Sequence, residues 1–205
     1  MSAFDYDVAF TRNRGLVSAA EQRQLRRSRV AIIGAGGVGG VHALTLARMG
    51  VGHFRLIDPD TFALANFNRQ MGATMHTQGQ PKASVTAAQI AAINPEAEVQ
   101  AFDTALDAEN VHEFLCGVDL VLDGIDFFAP EVRIMAYAAA RQRGIPVLGS
   151  GPIGMSATMH IFTPTSMTFE RYYDLRPGMS RLDQLVAFLV GQTPRMSQRP
   201  YLDLA

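Results

Sequence analysis

The stretch of this chain best suited to hold a phosphate is Gly34-Ala-Gly-Gly-Val-Gly39. Glycines let the backbone approach an anion closely, and a helix opening directly after them offers unpaired N–H donors and the positive end of its dipole. Asp58 lies 19 residues beyond Gly39, at the end of a second apolar run. A carboxylate in that position can accept hydrogen bonds from ribose hydroxyls. The third notable residue is Lys82, the only lysine among the 18 Lys and Arg residues. A guanidinium is a planar fork and an ammonium a compact point charge. A chain that uses arginine everywhere else therefore marks Lys82 as a place where geometry matters. Loop and acid together fit a nucleotide, and they fit a nicotinamide-dependent oxidoreductase as well as an ATP-using enzyme.

These residues need a frame, and the apolar pattern supplies one. Residues 29–33 form a short β-branched run ending in glycines, which reads as a buried parallel strand delivered into a tight turn. A helix is expected at about 39–50, a strand at 53–58, a long loop over 60–80 and an alanine-rich helix at 83–93. That helix stops at Asn94-Pro95. Next come a strand at 98–102, a helix near 107–116, a strand at 119–123, a helix at 131–143 and strands at 145–149 and 157–162. The alternation predicts an α/β fold: a Rossmann-like, doubly wound, mostly parallel sheet with helices on both faces and an antiparallel C-terminal edge. Ligands of such sheets bind at the carboxyl ends of the strands. From about 164 the pattern weakens into a loop with one more helix near 181–191.

Composition narrows the class of function. Hydrophobic content of 48% against 18% charged residues is that of a chain with one sizeable core rather than a disordered one. A formal net charge of -1 provides no global basic field, so nucleic acid is not the expected partner, although tRNA stays open. The single cysteine, Cys116, excludes an internal disulfide and a multi-cysteine zinc site. Ahead of a glycine and a buried strand, it is expected in the core. No apolar run approaches the ~18 residues that span a bilayer, and the expected location is the cytoplasm.

The residues beyond the glycine loop separate the two nucleotide readings. Asp58-Pro-Asp60 leads to Asn66-Phe-Asn-Arg69-Gln70, then Gly79-Gln-Pro-Lys82, and later Asn94-Pro95 and Asp119-Leu-Val-Leu-Asp-Gly-Ile-Asp126. Over about residues 10–163 the chain resembles the ThiF/MoeB and ubiquitin-activating superfamily, whose signature is this order of glycine loop, acidic strand end, Asn-x-x-Arg-Gln and Gly-x-x-Lys. The resemblance implies an ATP-dependent adenylyltransferase: a carboxylate attacks the α-phosphorus of ATP, giving an acyl-adenylate and pyrophosphate. It assigns Arg69 and Lys82 to the phosphates, Asn66 to the reacting centre and Asp58 to the ribose. Gly34, Gly36, Gly37 and Gly39 form the loop beside the nucleotide, and Asp126 becomes a Mg²⁺ ligand. Hard oxygen donors beside substrate phosphates suit that ion. Arg14 corresponds to an arginine that reaches the partner's phosphates across a homodimer. The implied substrate is a carboxylate such as the C-terminus of a ubiquitin-like carrier protein or a peptide.

The chain also departs from that pattern. Phe127 and Phe128 stand after Asp126 where the family has asparagine, and the next arginine, Arg133, comes late. The zinc-binding Cys-x-x-Cys pairs and the thioester cysteine of many relatives are missing, so neither zinc nor an enzyme thioester is expected. Residues 1–163 are then an ATP-binding adenylation domain and 164–205 a C-terminal extension. In that extension Glu170, Tyr172, Tyr173 and Asp174 form either a candidate substrate lid or a surface loop with packed aromatics. A second class stays open: a catalytically inactive nucleotide-binding partner subunit.

Overall fold

A computed structural model of the protein describes residues 4–193 together with Arg195, Met196 and Arg199. Its sheet has six strands: β1 (Arg29–Ile33), β2 (His53–Ile57), β3 (Glu98–Phe102), β4 (Leu120–Asp123), β5 (Val147–Ile153) and β6 (Ser156–Phe162). The spatial order is β3-β2-β1-β4-β5-β6, parallel throughout except for the antiparallel β5–β6 pair. Burial on both faces explains the unbroken apolar runs. Val30 and Ile32 face one core, packed by α3 (Gly37–Arg48) and α4 (Lys82–Ile93). Ala31 and Ile33 face the other, packed by α5 (Val111–Phe114), α6 (Pro130–Gln142), α7 (Phe169–Tyr172) and α8 (Arg181–Gln192). Val30, Ile32 and Ile33, once buried, each contribute about 1.5–3 kcal/mol. No described helix is long and apolar enough to cross a membrane.

The order in which successive strands are added to the sheet reverses between β1 and β4, and two glycine turns meet there. Gly34 leaves β1 with a φ of 89°, a conformation that disfavours other residues. A Cβ on Gly34 would run into the Gly124 carbonyl, and one on Gly39 into the Gly34 carbonyl; one on Gly124 would come within 3.0 Å of the Gly39 backbone. Three bare backbones thus interlock where the strands end.

The turn after β4 is fixed by a buried carboxylate. Asp123 Oδ2 accepts from Arg133 Nε at 2.7 Å and from the Tyr137 hydroxyl at 2.9 Å, while Oδ1 accepts from the Ile125 N–H at 2.9 Å. Arg133 also donates to the Ile125 carbonyl and stacks 4.4 Å over the Phe188 ring. Burial and the adjacent Asp123 carboxylate push the Tyr137 hydroxyl well above its ordinary pKa, so it stays a donor. The network ties α6 and α8 to the end of β4.

Several expectations need adjustment. Residues 1–28 carried no predicted element, yet α1 (Tyr6–Ala9) and α2 (Ala19–Arg27) form there. Helix α2 is started by a Ser18–Glu21 capping box, a readable S-x-x-E pattern. The helix expected near 107–116 shrinks to Val111–Phe114, because Asp107 Oδ1 accepts from the N–H groups of Glu109 and Asn110 and folds a turn instead. Cys116 is exposed, not in the core. It sits in the turn after α5 while Leu115 and Val118 take the buried positions. The 60–80 loop is ordered around its own small core of Phe62, Ala73 and Val85.

Residues beyond 163 pack onto the sheet, and the helix expected near 181–191 forms as α8. Phe169, Tyr173 and Phe188 are buried with Tyr137 and Phe162 in one aromatic cluster. The last residues of the chain, Pro200-Tyr-Leu-Asp-Leu-Ala205, lie outside the described residues.

Two substitutions test this frame. Gly39→Ala forces the loop apart and should cost about 1–3 kcal/mol in chemical denaturation; an unchanged midpoint would show that the three-glycine junction tolerates a side chain. Arg133→Met leaves Asp123 buried without its counter-ion and should cost about 3–5 kcal/mol. A loss under about 1 kcal/mol would mean that the pair contributes little net stability.

Candidate active site

A cleft of about 1260 Å³ opens at the carboxyl ends of β1, β2, β4 and β5, above the glycine junction. Gly34, Gly36 and Gly37 line it, and Gly37 opens α3, so the first N–H groups of a twelve-residue helix border the cleft. A Cβ on Gly36 would meet only the Gln70 side chain, at 3.5 Å. Gly36 and Gly37 thus leave backbone bare on the cleft side, whereas Gly39 is buried beneath and serves the packing of the loop.

Asp58 is 5% exposed at the end of β2. Its Oδ2 accepts from the Ala35 N–H at 2.6 Å and its Oδ1 from the Asp60 N–H at 2.8 Å, so the acid clamps the glycine loop to its own strand. Burial pushes its carboxyl above the usual range, and those two N–H donors act in the opposite direction. Each oxygen keeps a lone pair, and Asp58 borders the cleft.

Lys82 is the first residue of α4 and is 6% exposed. Its Nζ donates to Asp60 Oδ2 at 2.8 Å, and its backbone N–H donates to the Asp60 carbonyl. The two partners differ sharply in environment: the lysine side chain is 8% exposed and that of Asp60 65%. A buried ammonium is costly without a counter-ion, and here its partner sits on the wet rim. Arg69 is exposed and lines the same cleft. Its guanidinium donates to the Ala65 carbonyl and to Asn68 Oδ1, and a Cβ on Gly37 would lie 3.3 Å from its carbonyl.

Asp126 lies on the cleft wall in the turn held by Asp123 and Arg133. The residue is exposed, and its Oδ1 accepts from the Phe128 N–H at 2.7 Å. Among the described residues no three His, Cys, Asp or Glu side chains converge as a self-sufficient metal cage. A single carboxylate such as Asp126 could hold Mg²⁺, which accepts one or two carboxylates and completes its shell with water and substrate phosphates.

The cleft therefore gathers Gly34, Gly36, Gly37, Asp58, Arg69, Lys82 and Asp126. It does not gather Asn66 or Arg14. Asn66 Oδ1 accepts from the Ala63 N–H at 2.9 Å and folds the turn that carries Arg69. Arg14 is exposed in the N-terminal segment, bridged to Val17. Of the extension, the cleft-lining residues are Phe188, Leu189 and Gln192, while Glu170, Tyr172, Tyr173 and Asp174 lie elsewhere.

Sequence reasoning passed over several cleft residues. Gln70 is 7% exposed and its Oε1 is buried with no partner among the described residues. Its place in the Arg69-Gln70 pair was the available signal. Asp60 was visible in Asp58-Pro-Asp60, but its pairing with Lys82 spans 22 residues. Phe127, standing where asparagine was expected, packs against Phe128 and Phe188 and joins the Asp126 turn to α8. His42 and Ser150, hydrogen-bonded at 2.8 Å, were not singled out at all.

The chain is similar in sequence and fold to known proteins. The chain is 38% identical over 142 residues to a tRNA threonylcarbamoyladenosine dehydratase of Bacillus subtilis, covering 69% of this chain and 55% of that protein. It is 35% identical over 127 residues to a sulfur carrier protein adenylyltransferase of Thermus thermophilus, covering 62% of this chain and 46% of the other. A crystal structure of the Escherichia coli tRNA N6-threonylcarbamoyladenosine dehydratase in complex with ATP superposes with a TM-score of 0.69 at 31% identity, over 73% of this chain and 62% of that one. The chain thus spans about half the length of the curated relatives it matches. A profile of the ThiF family matches residues 10–194, through the glycine loop, the cleft and α8. The chain belongs to the ThiF family.

Proposed function

We propose that this chain binds ATP in the cleft and adenylates a carboxylate, releasing pyrophosphate and forming no enzyme thioester. The observation that carries this is the convergence of bare loop backbone, Asp58, Arg69, Lys82 and Asp126 around one cavity. Two cations and a free carboxylate beside the phosphate loop suit transfer at a nucleotide phosphate better than hydride transfer. A relative crystallised with ATP and others named adenylyltransferases support the same reading.

Charge dictates the chemistry. An anionic carboxylate oxygen bonds to the α-phosphorus while the bond to the bridging oxygen of the β-phosphate breaks, so negative charge gathers where two anions already meet. Positioned cations are the main catalytic resource in such transfers. Lys82 and Arg69 flank the loop and offset that charge, and Asp58 holds the ribose so that the α-phosphate faces the incoming acid. Mg²⁺, held by Asp126 and the phosphates, would neutralise the pyrophosphate leaving group. Lys82 engages phosphate by exchanging partners with Asp60, whose exposed carboxylate is returned to water.

The acid is the C-terminus of a ubiquitin-like carrier or a peptide, in keeping with relatives named for sulfur carrier proteins and for a SAMP-activating enzyme. The tRNA dehydratases keep a tRNA-borne carboxylate as the second candidate. Arg14, exposed and away from its own cleft, serves the neighbouring cleft in a homodimer.

Exchange of labelled pyrophosphate into ATP, with Mg²⁺ and a peptide ending in Gly-Gly, measures the reaction directly. Lys82→Ala and Arg69→Ala should each lower exchange about 100-fold or more. Tight ATP binding without exchange for any carboxylate, unaltered by either substitution, would turn the assignment to a non-catalytic partner subunit. Asp126→Asn should raise the Mg²⁺ concentration required for half-maximal exchange; an identical Mg²⁺ titration would remove Asp126 from the metal.

A further inference from the structure

Adenylation as proposed gives no role to His42 or Ser150. His42 Nε2 lies 2.8 Å from Ser150 Oγ, across the gap between α3 and β5. Both residues line the cleft that holds the glycine loop, Lys82 and Asp126. Among its described lining residues, Ser150 is the single hydroxyl or thiol and His42 the single imidazole. Cys116 cannot substitute. It adjoins Gly117, whose carbonyl accepts from Arg29 at the start of β1, the end of the sheet opposite the cleft.

Both members of the pair stand on regular elements. His42 projects from the second turn of α3, the helix that starts at the glycine loop. Ser150 stands in β5 opposite Met159 of β6, between Gly149 and Gly151. Gly149 has no room for a side chain, since a Cβ there would lie 2.7 Å from the Tyr137 hydroxyl. That fixes the strand against the Asp123 network. Burial holds the His42 imidazole below its ordinary pKa, so at neutral pH the ring is uncharged and one nitrogen can accept a proton. A hydroxyl hydrogen-bonded to a neutral imidazole is the minimum arrangement of an activated oxygen nucleophile.

We propose that Ser150 and His42 form a nucleophile and general-base pair that takes the acyl group from the adenylate as an ester, in the role that a cysteine fills elsewhere. This rests on the adenylation reading above. Ser150 Oγ forms a bond to the acyl carbon and the bond from that carbon to the adenylate oxygen breaks. AMP departs with the electron pair, and the hydroxyl proton passes to His42 Nε2. An external amine, thiol or hydroxyl then bonds to the acyl carbon as the bond to Ser150 Oγ breaks; His42 returns its proton to Ser150 Oγ, and the proton lost by the acceptor is released to solvent.

A fluorophosphonate tests the pair without knowledge of the acyl substrate, because it phosphonylates serines activated by a base. The full chain should be labelled on Ser150, as located by peptide mass spectrometry, and ATP should slow the labelling by occupying the same cleft. His42→Gln should reduce the rate about 100-fold or more, the range of general-base catalysis, with its unfolding midpoint measured alongside to establish that the variant is folded. Absence of label on Ser150 in the unaltered chain, or equal labelling rates in folded His42→Gln, would overturn the proposal. Calorimetric ATP binding separates the two readings: ATP bound with Ser150 inert removes only the ester step, whereas Ser150 labelled with no ATP bound removes adenylation.

Discussion

Asp123 is the carboxylate on which the shape of the cleft depends. It is 6% exposed and accepts from a guanidinium, a phenol and a backbone N–H. An ionised acid taken that far from water is tolerated only when its lone pairs are satisfied. Satisfying them draws Arg133 and Tyr137 of α6 to the end of β4, and Arg133 in turn draws Phe188 of α8. The turn that carries Gly124 and Asp126 is a by-product of that arrangement. Its position sets both the floor of the cleft, through the glycine junction, and one of its walls.

Most of the frame was legible in the sequence because it rests on short-range signals. The apolar runs of β1, β2 and β4, the glycines after Ile33 and the stop at Asn94-Pro95 each state a local preference, and burial on both faces amplifies them. Asp58, Arg69, Lys82 and Asp126, which line the cleft, were named through the resemblance of their motif order to the ThiF/MoeB pattern. The errors lie where side chains replace backbone. Asp107 bends what would otherwise continue as helix, and Cys116 turns outward because Leu115 and Val118 already occupy the core.

The pairs that span long separations were not legible. Lys82–Asp60, Asp123–Arg133 and His42–Ser150 join residues 22, 10 and 108 positions apart, and nothing in one member names the other. Lys82 could be noticed for being unique, but its resident partner could not. Asn66 illustrates the converse. Its place in the motif suggested contact with the reacting centre, while its side chain in this conformation is spent on the Ala63 N–H, organising the turn that presents Arg69.

The Lys82–Asp60 pair reaches beyond binding. An anion that leaves a buried ammonium normally strands a bare charge, and that penalty slows departure. Here a carboxylate with most of its surface in water stands 2.8 Å away. In the proposed reaction, Asp60 acts as a built-in eluent. It reclaims the ammonium as pyrophosphate drifts off, so product leaves from a lysine that is never orphaned and helix α4 starts each cycle from the same state.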